Sequence, residues 1–226
     1  MENPDSELTT VRLTTPIDDV QLARLRIGNV VYIDGVIMTG REGVYKRLLD
    51  DGDPPPADFH DIANINFHCS PAASVNDDGS FNMGAVTATA SFRFAKWLPQ
   101  WFEQSGCRVI IGKGGMSQAH YDDIFVPAKA VYLTTVGYGT GALLGRGIKN
   151  VRAAHWLDEL GIAQAMWVLE VENFGPLLCE SDLEGNSLFE TNNKQINAQI
   201  EQAYAGLKPP TLSRYGETDD KTKELI

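Results

Sequence analysis

Val109-Ile110-Ile111-Gly112-Lys113-Gly114-Gly115 is the stretch that decides the fold. Three consecutive β-branched residues read as a buried strand, and the glycines after them as its exit. Lys113 then stands as a cation at a strand end, where its glycine neighbours let a ligand approach the backbone. The same alternation recurs outward from here. Towards the C-terminus, Ser117 to Asp123 reads as a short helix and Ala130-Val131-Tyr132-Leu133 as a strand. Gly137-Tyr138-Gly139-Thr140-Gly141 is a glycine-rich turn leading to a small-residue helix, Ala142 to Ile148. Trp156 to Gln164 is predicted helical. Ala165 to Val171 and Leu177-Leu178-Cys179 are predicted strands separated by Gly175-Pro176. Asn193 to Leu207 is predicted as an amphipathic helix with Ile196, Ile200 and Tyr204 on one stripe.

Towards the N-terminus, Val11-Arg12-Leu13 reads as a strand, and Val20 to Leu25 as a helix capped by Asp18 or Asp19. Val30 to Ile33, extended by Val36 to Met38, is a strand ending at Thr39-Gly40, and Arg41 to Leu49 has helical spacing. Ala63 to His68 and Phe81 to Thr89 read as strands flanking the turn Asn76-Asp77-Asp78-Gly79. Arg93 to Gln104 is an aromatic-rich helix that Pro99 splits near Leu98. Strands alternating with helices and glycine-rich turns predict an α/β fold. We expect one domain over residues 10–207, with flexible ends at 1–9 and 208–226.

Composition narrows the function. A formal net charge of -11 opposes a nucleic-acid partner, which needs a basic surface, and suits a cytoplasmic protein. No apolar run approaches the roughly 18 residues that span a bilayer, so no membrane association is expected. Cys69, Cys107 and Cys179 form no CxxC pair, and His60, His68, His120 and His155 show no ligand spacing. We therefore read all seven as structural and expect no metal on this chain.

Against that acidic background, three short segments each hold a cation beside small residues: Thr39-Gly40-Arg41, Thr89-Ala90-Ser91-Phe92-Arg93 and Gly112-Lys113-Gly114-Gly115. A helix beginning near Thr89 would turn Thr89 and Arg93 to one ligand. Taken singly, Thr89 reads equally as an N-cap, and Arg41 and Arg93 as surface cations. Gly112 to Gly115 lacks the GxxxxGK[ST] of a phosphate loop. Gly137, Gly139 and Ala142 match the looser dinucleotide pattern, which a plain turn explains as well.

Taken together, the segments resemble one family: the β subunit of a two-subunit class I fumarase or iron–sulfur L-tartrate dehydratase. The likeness runs from about Leu13 to about Tyr204. It includes Leu13-Thr14-Thr15-Pro16-Ile17, Leu25-Arg26-Ile27-Gly28-Asn29-Val30-Val31-Tyr32, Thr39-Gly40-Arg41, Gly112-Lys113-Gly114-Gly115-Met116, His155-Trp156 with Glu159-Leu160-Gly161, and Phe174-Gly175-Pro176-Leu177. The resemblance implies a swivelling β/β/α domain. It implies a partner α subunit holding a [4Fe–4S] cluster on its own cysteines, in an α2β2 heterotetramer, with the open iron a Lewis acid for the substrate hydroxyl. It also implies that Arg41 and Arg93 clamp a small hydroxy dicarboxylate, that Lys113 binds it and assists catalysis, and that Thr89 transfers a proton.

The departures are specific. The family's T-x-R-D-x-x-H segment reads Thr39-Gly40-Arg41-Glu42-Gly43-Val44-Tyr45, its G-P-T-T segment Thr87-Ala88-Thr89-Ala90, and its R-M-[DE] segment Arg93-Phe94-Ala95. Its F-H-x-G-P segment becomes Phe67-His68-Cys69-Ser70-Pro71. The cations and the first threonine remain while their surroundings change, which points to the same chemistry on a different acid. Two other readings stay open from sequence: a non-catalytic assembly or regulatory subunit, and a free-standing anion-binding module.

Overall fold

The computed structural model describes residues 8–206 except Ala63 and Tyr138, with side chains at 201, 203 and 204 also left undescribed. Most of the two predicted flexible ends lies outside the described residues. The chain divides into two compact units, Met1–Phe189 and Glu190–Ile226.

Among the described residues the first unit holds nine strands: β1 (Thr10–Thr14), β2 (Val30–Thr39), β3 (Ile65–Phe67), β4 (Cys69–Val75), β5 (Phe81–Ala88), β6 (Val109–Gly112), β7 (Val131–Thr135), β8 (Ile148–His155) and β9 (Met166–Ser181). Seven form a mixed sheet in the order β1-β2-β3-β6-β7-β9-β8, with β1, β2, β3, β6 and β7 mutually parallel. β9 runs antiparallel and pairs with β2, β7 and β8, so the sheet closes on itself through β9. β4 and β5 form a separate antiparallel hairpin.

Burial alternates along the strands and creates two cores. Val109, Ile111, Val131, Leu133, Trp167 and Leu169 pack with the hairpin's Val86 and Ala88 and with Leu144 of α6 (Thr140–Gly147). The intervening Ile110, Tyr132, Met166 and Val168 face a helical layer. That layer includes Val44 and Tyr45 of α2 (Glu42–Tyr45), Phe94 and Trp97 of a 3-10 helix (Ser91–Trp97), and Trp101 and Phe102 of α4 (Leu98–Ser105). Hairpin, sheet and helices give the β/β/α arrangement that the resemblance implies.

Local signals account for much of this. Asp18 caps α1 (Asp19–Leu22), its carboxylate accepting from Gln21 N–H at 2.8 Å. Pro99 sits in the first turn of α4, where its missing N–H costs nothing, and so separates α4 from the 3-10 segment before it. Three expectations are corrected. The strand paired with Phe81–Ala88 across the 76–79 turn is Cys69–Val75, not the 63–68 stretch, whose described part pairs in the main sheet. β8 occupies residues expected as the end of a helix and a connector. The predicted helix at 156–164 shrinks to α7 (Leu157–Leu160).

α3 (Phe59–Ile62) and α5 (Gln118–His120) are short, and α8 (Leu188–Tyr204) carries the C-terminal stripe. Ile196 and Ile200 on that stripe are exposed. Among the described residues no helix is long and apolar enough to cross a membrane.

Candidate functional site

The parallel strands end in register. Thr39 pairs with Phe67, Phe67 with Ile111, and Gly112 with Thr134. The residues that follow each strand, Arg41, His68 and Lys113, therefore emerge along one carboxyl edge, the usual place for ligands in parallel sheets. The hairpin delivers the remaining segment. Cys69 pairs with Ala88, after which Thr89 N–H donates to His68 O at 2.6 Å and Lys113 N–H donates to Thr89 O at 3.3 Å. Ala90 then bridges to Lys113 and caps the 3-10 helix that carries Arg93. The helix thus starts at Ser91, leaving Thr89 at the end of the hairpin rather than in a first helical turn. Backbone pairing, not helical spacing, positions Thr89 beside Lys113.

All four predicted site residues meet at this edge. Burial, and next the charge of Arg93, lower the pKa of Arg41, so the two guanidiniums repel each other. Arg41 donates to Ala163 O at 3.0 Å, while its buried Nε has no partner. Neither arginine nor Lys113 has an ion-pair partner among the described residues. Glu42, next to Arg41, is engaged by Lys46 at 3.2 Å. Neighbouring cations with no ion-pair partner among the described residues, in a chain of net charge -11, mark a candidate anion site.

Beneath the edge runs a buried polar chain that sequence reading did not assemble. Asn66 Nδ2 donates to Tyr45 Oη at 2.8 Å, and Tyr45 Oη lies 2.6 Å from His68 Nε2. His68 Nδ1 lies 2.8 Å from Ser91 Oγ. Tyr132 donates to Ser91 Oγ at 2.9 Å and lies 3.5 Å from Lys113 O. Asn66, His68 and Ser91 are fully buried. The available signals were His68 itself, treated as an ordinary core histidine, and Tyr45, noted only as a departure.

Gly112 is required by this packing. A Cβ there would collide with Ser91 Oγ and Tyr132 Oη, both on well-packed elements. Gly112→Ala is expected to destabilise the chain by roughly 1–3 kcal/mol through overpacking. A urea midpoint unchanged from wild type would show that the network yields without cost.

A cleft of about 540 Å³ opens beside Lys113, lined also by residues 85–88, Thr135, Gly137 and residues 139–142. Arg41, Thr89 and Arg93 do not line it, so the candidate site is marked by its charges rather than by concavity. The turn does not form a dinucleotide site. The strand after α6 is β8, and β9 lies between β7 and β8, antiparallel to both, whereas a dinucleotide unit pairs its two parallel strands side by side. The loop 112–115 likewise meets no long helix, since α5 has three residues.

The three thiols are buried and separate, and burial raises the pKa of each, to about 11 at Cys107 and about 12 at Cys179. Among the described residues no three His, Cys, Asp or Glu side chains stand close enough to hold a metal. One acid is buried near the edge. Glu180 accepts from Ser187 Oγ at 2.6 Å and from Tyr121, and lies against the backbone of Gly115.

Residues 1–192 match the fumarase C-terminus family model. The L(+)-tartrate dehydratase subunit beta of Escherichia coli (strain K12) is 32% identical over 182 residues, covering 80% of this chain and 88% of the relative. A putative L(+)-tartrate dehydratase subunit beta of Methanocaldococcus jannaschii is 32% identical over 183 residues, 79% of this chain and 91% of that one. A putative fumarate hydratase class I of Geobacillus stearothermophilus is 32% identical over 213 residues, 94% of this chain but 39% of the relative.

Proposed function

The chain belongs to the fumarase C-terminus family, and from that membership we propose that it is the β subunit of a hydro-lyase acting on a small hydroxy dicarboxylic acid. The observation that carries this reading is the group of cations Arg41, Arg93 and Lys113, without ion-pair partners among the described residues, at one strand edge beside Thr89. A C4 dicarboxylate is a dianion near neutral pH and needs at least two fixed positive charges. Arg41 and Arg93 would hold its carboxylates through their planar donor forks. Lys113 would offset the charge that builds as a proton leaves carbon. Thr89 would carry that proton. Its hydroxyl has no protein hydrogen-bond partner among the described residues, and it is a usable base only where neighbouring cations stabilise the alkoxide.

The site is half open. Arg93 and Lys113 are exposed, and Phe92, between Thr89 and Arg93, is 60% exposed. Closing a site against bulk solvent strengthens its electrostatics, so we assign a second surface to cover this edge. The fumarate hydratase relative supports the same division, since this chain matches 39% of that longer polypeptide. We assign the remainder to an α subunit, in a cytoplasmic α2β2 assembly. The [4Fe–4S] cluster would belong to that subunit, because the buried, protonated and scattered thiols here do not fit it.

Co-expression with an α-type chain tests the proposal. The purified complex should contain iron, lose activity in air, and interconvert a hydroxy dicarboxylate with its unsaturated or oxo product. Comparing fumarate, tartrate and related acids identifies the substrate. An active complex without iron, or an iron-loaded complex inert towards every acid tried, would overturn it.

A further inference from the structure

We propose that His68 is the positioning residue that sets the mutual geometry of the Arg41, Thr89–Arg93 and Lys113 segments, and that it does so as a neutral imidazole protonated on Nδ1. The proposal deepens the hydro-lyase reading and rests on it for its kinetic consequences.

His68 reaches all three segments. Its backbone N–H donates to Ile111 O at 2.8 Å, on the strand that ends at Lys113, and its carbonyl accepts Thr89 N–H at 2.6 Å. Its Nε2 faces Tyr45, on the helix that begins after Arg41. Its Nδ1 faces Ser91, midway between Thr89 and Arg93. Ser91 is joined in turn to Tyr132, which lies beside the Lys113 carbonyl. The ring is fully buried and packed edge-on against Phe94 at 4.8 Å, so it has no second orientation to adopt cheaply.

Donor counting fixes the proton. Asn66 donates through Nδ2 to Tyr45, occupying a lone pair there. Turning the Asn66 amide over would instead strand a buried NH2 group, which costs more than leaving its oxygen unpaired. The single Tyr45 proton then points to His68, so Nε2 is an acceptor. The ring proton sits on Nδ1 and donates to Ser91 Oγ. Burial, and next the Arg41 charge, push the pKa of His68 down to about 3, so the ring is neutral wherever the enzyme would be assayed.

The chain bears on rate rather than only on stability, because Thr89 and Arg93 flank the serine that His68 holds. A shift of about 1 Å in a reacting group can cost roughly 100-fold in rate. His68→Asn keeps an amide N–H near the Nδ1 position, whereas His68→Gln places its amide out towards Nε2, and His68→Leu keeps neither.

Two measurements on the full chain and its α complex test this. Long-range 15N NMR of the histidine-labelled chain is expected to show His68 protonated at Nδ1 and unprotonated at Nε2. The reverse tautomer overturns the proposal. In the complex, His68→Gln and His68→Leu are expected to lower kcat about 100-fold with a smaller change in KM, while His68→Asn stays within about tenfold of wild type. Equal losses in all three, or none in any, also overturn it. Should the leucine variant fail to fold, Ser91→Ala removes the same contact with less disruption and is expected to reproduce the kcat loss. Normal turnover in Ser91→Ala counts against the proposal. If the wild-type complex turns over no hydroxy acid, the hydro-lyase reading falls by itself. The tautomer, and displaced Thr89 and Lys113 amide resonances in Ser91→Ala, then decide on His68.

Discussion

Arg93→Ala is expected to lower kcat/KM of the α–β complex by roughly 30- to 5,000-fold, with no loss of fold stability. The range is the rate equivalent of the 2–5 kcal/mol typically lost when one member of a desolvated, hydrogen-bonded charge pair is removed. The stability half of the expectation comes from what Arg93 touches. Among the described residues its guanidinium makes no ion pair, and it lies 5.8 Å from the centre of the Phe94 ring. An exposed side chain of this kind changes stability by under about 0.5 kcal/mol on truncation. Because Arg93 repels Arg41, its loss works in the stabilising direction. Arg93→Lys keeps charge without the planar fork and should fall between the two. Steady-state kinetics and urea unfolding of the same preparations separate the effects. If Arg93→Ala, Lys113→Ala and Thr89→Ala all turn over near the wild-type rate, the chain is an assembly or regulatory subunit that kept the fold.

That outcome would leave the charge arrangement without a purpose. Folding gains nothing by bringing Arg41 and Arg93 together without an ion-pair partner among the described residues, while the adjacent acid Glu42 is directed to Lys46. The unfavourable pairing is the kind of local conflict that proteins tolerate where a ligand resolves it.

The parts of this architecture legible in the sequence are those fixed by short-range physics. Val109–Gly112 and Val131–Thr135 are buried on both sides, so unbroken apolar runs announced them. Lys113 was correctly placed at a strand end because two glycines follow it. β8 was missed because Lys149, Asn150 and Arg152 lie on its exposed outer side, and its pairing with β9 is bulged. β9 was read as two strands because Gly175-Pro176 breaks the pattern. The chain passes through that dipeptide by shifting register against β2 between Phe174 and Leu177. The anion site was legible only as three separate segments. What joins them is His68, Tyr45, Ser91 and Tyr132, residues distant in sequence with individually ordinary patterning. No local rule could have brought them into one chain of hydrogen bonds.

Glu180 gives the second large expected effect, a pH dependence of stability whose sign follows from its surroundings. The carboxyl is fully buried at the end of β9 and accepts from Ser187 at 2.6 Å, from Phe189 N–H at 3.4 Å and from Tyr121. Those hydrogen bonds favour the ionised form, but burial outweighs them and raises the pKa above its ordinary 4.5. A raised folded-state pKa means the folded chain holds this proton after the unfolded chain has released it. The contribution to stability is therefore fully present below about pH 4.5 and is lost as pH rises through the folded value, at up to about 1.4 kcal/mol per pH unit. His68 acts in the opposite sense. Its folded pKa of about 3 lies below the ordinary 6.5, so it adds stability as pH rises between those values and is constant above them. Where the folded chain still holds the Glu180 proton the two groups act in opposite senses, and above about pH 6.5 His68 contributes no slope. Glu180→Gln keeps the shape and removes the titration. The difference in unfolding free energy between wild type and Glu180→Gln, from urea titrations between pH 4 and 8, should move in favour of the variant as pH rises above about 4.5 and level off once the folded carboxyl has ionised. A flat difference would mean that the hydrogen bonds from Tyr121, Ser187 and Phe189 outweigh burial. Glu180 would then be ionised throughout. In that case the support it gives to the Lys113 loop, through Tyr121 and the 2.8 Å bond from Met116 N–H, would be that of a permanent anion.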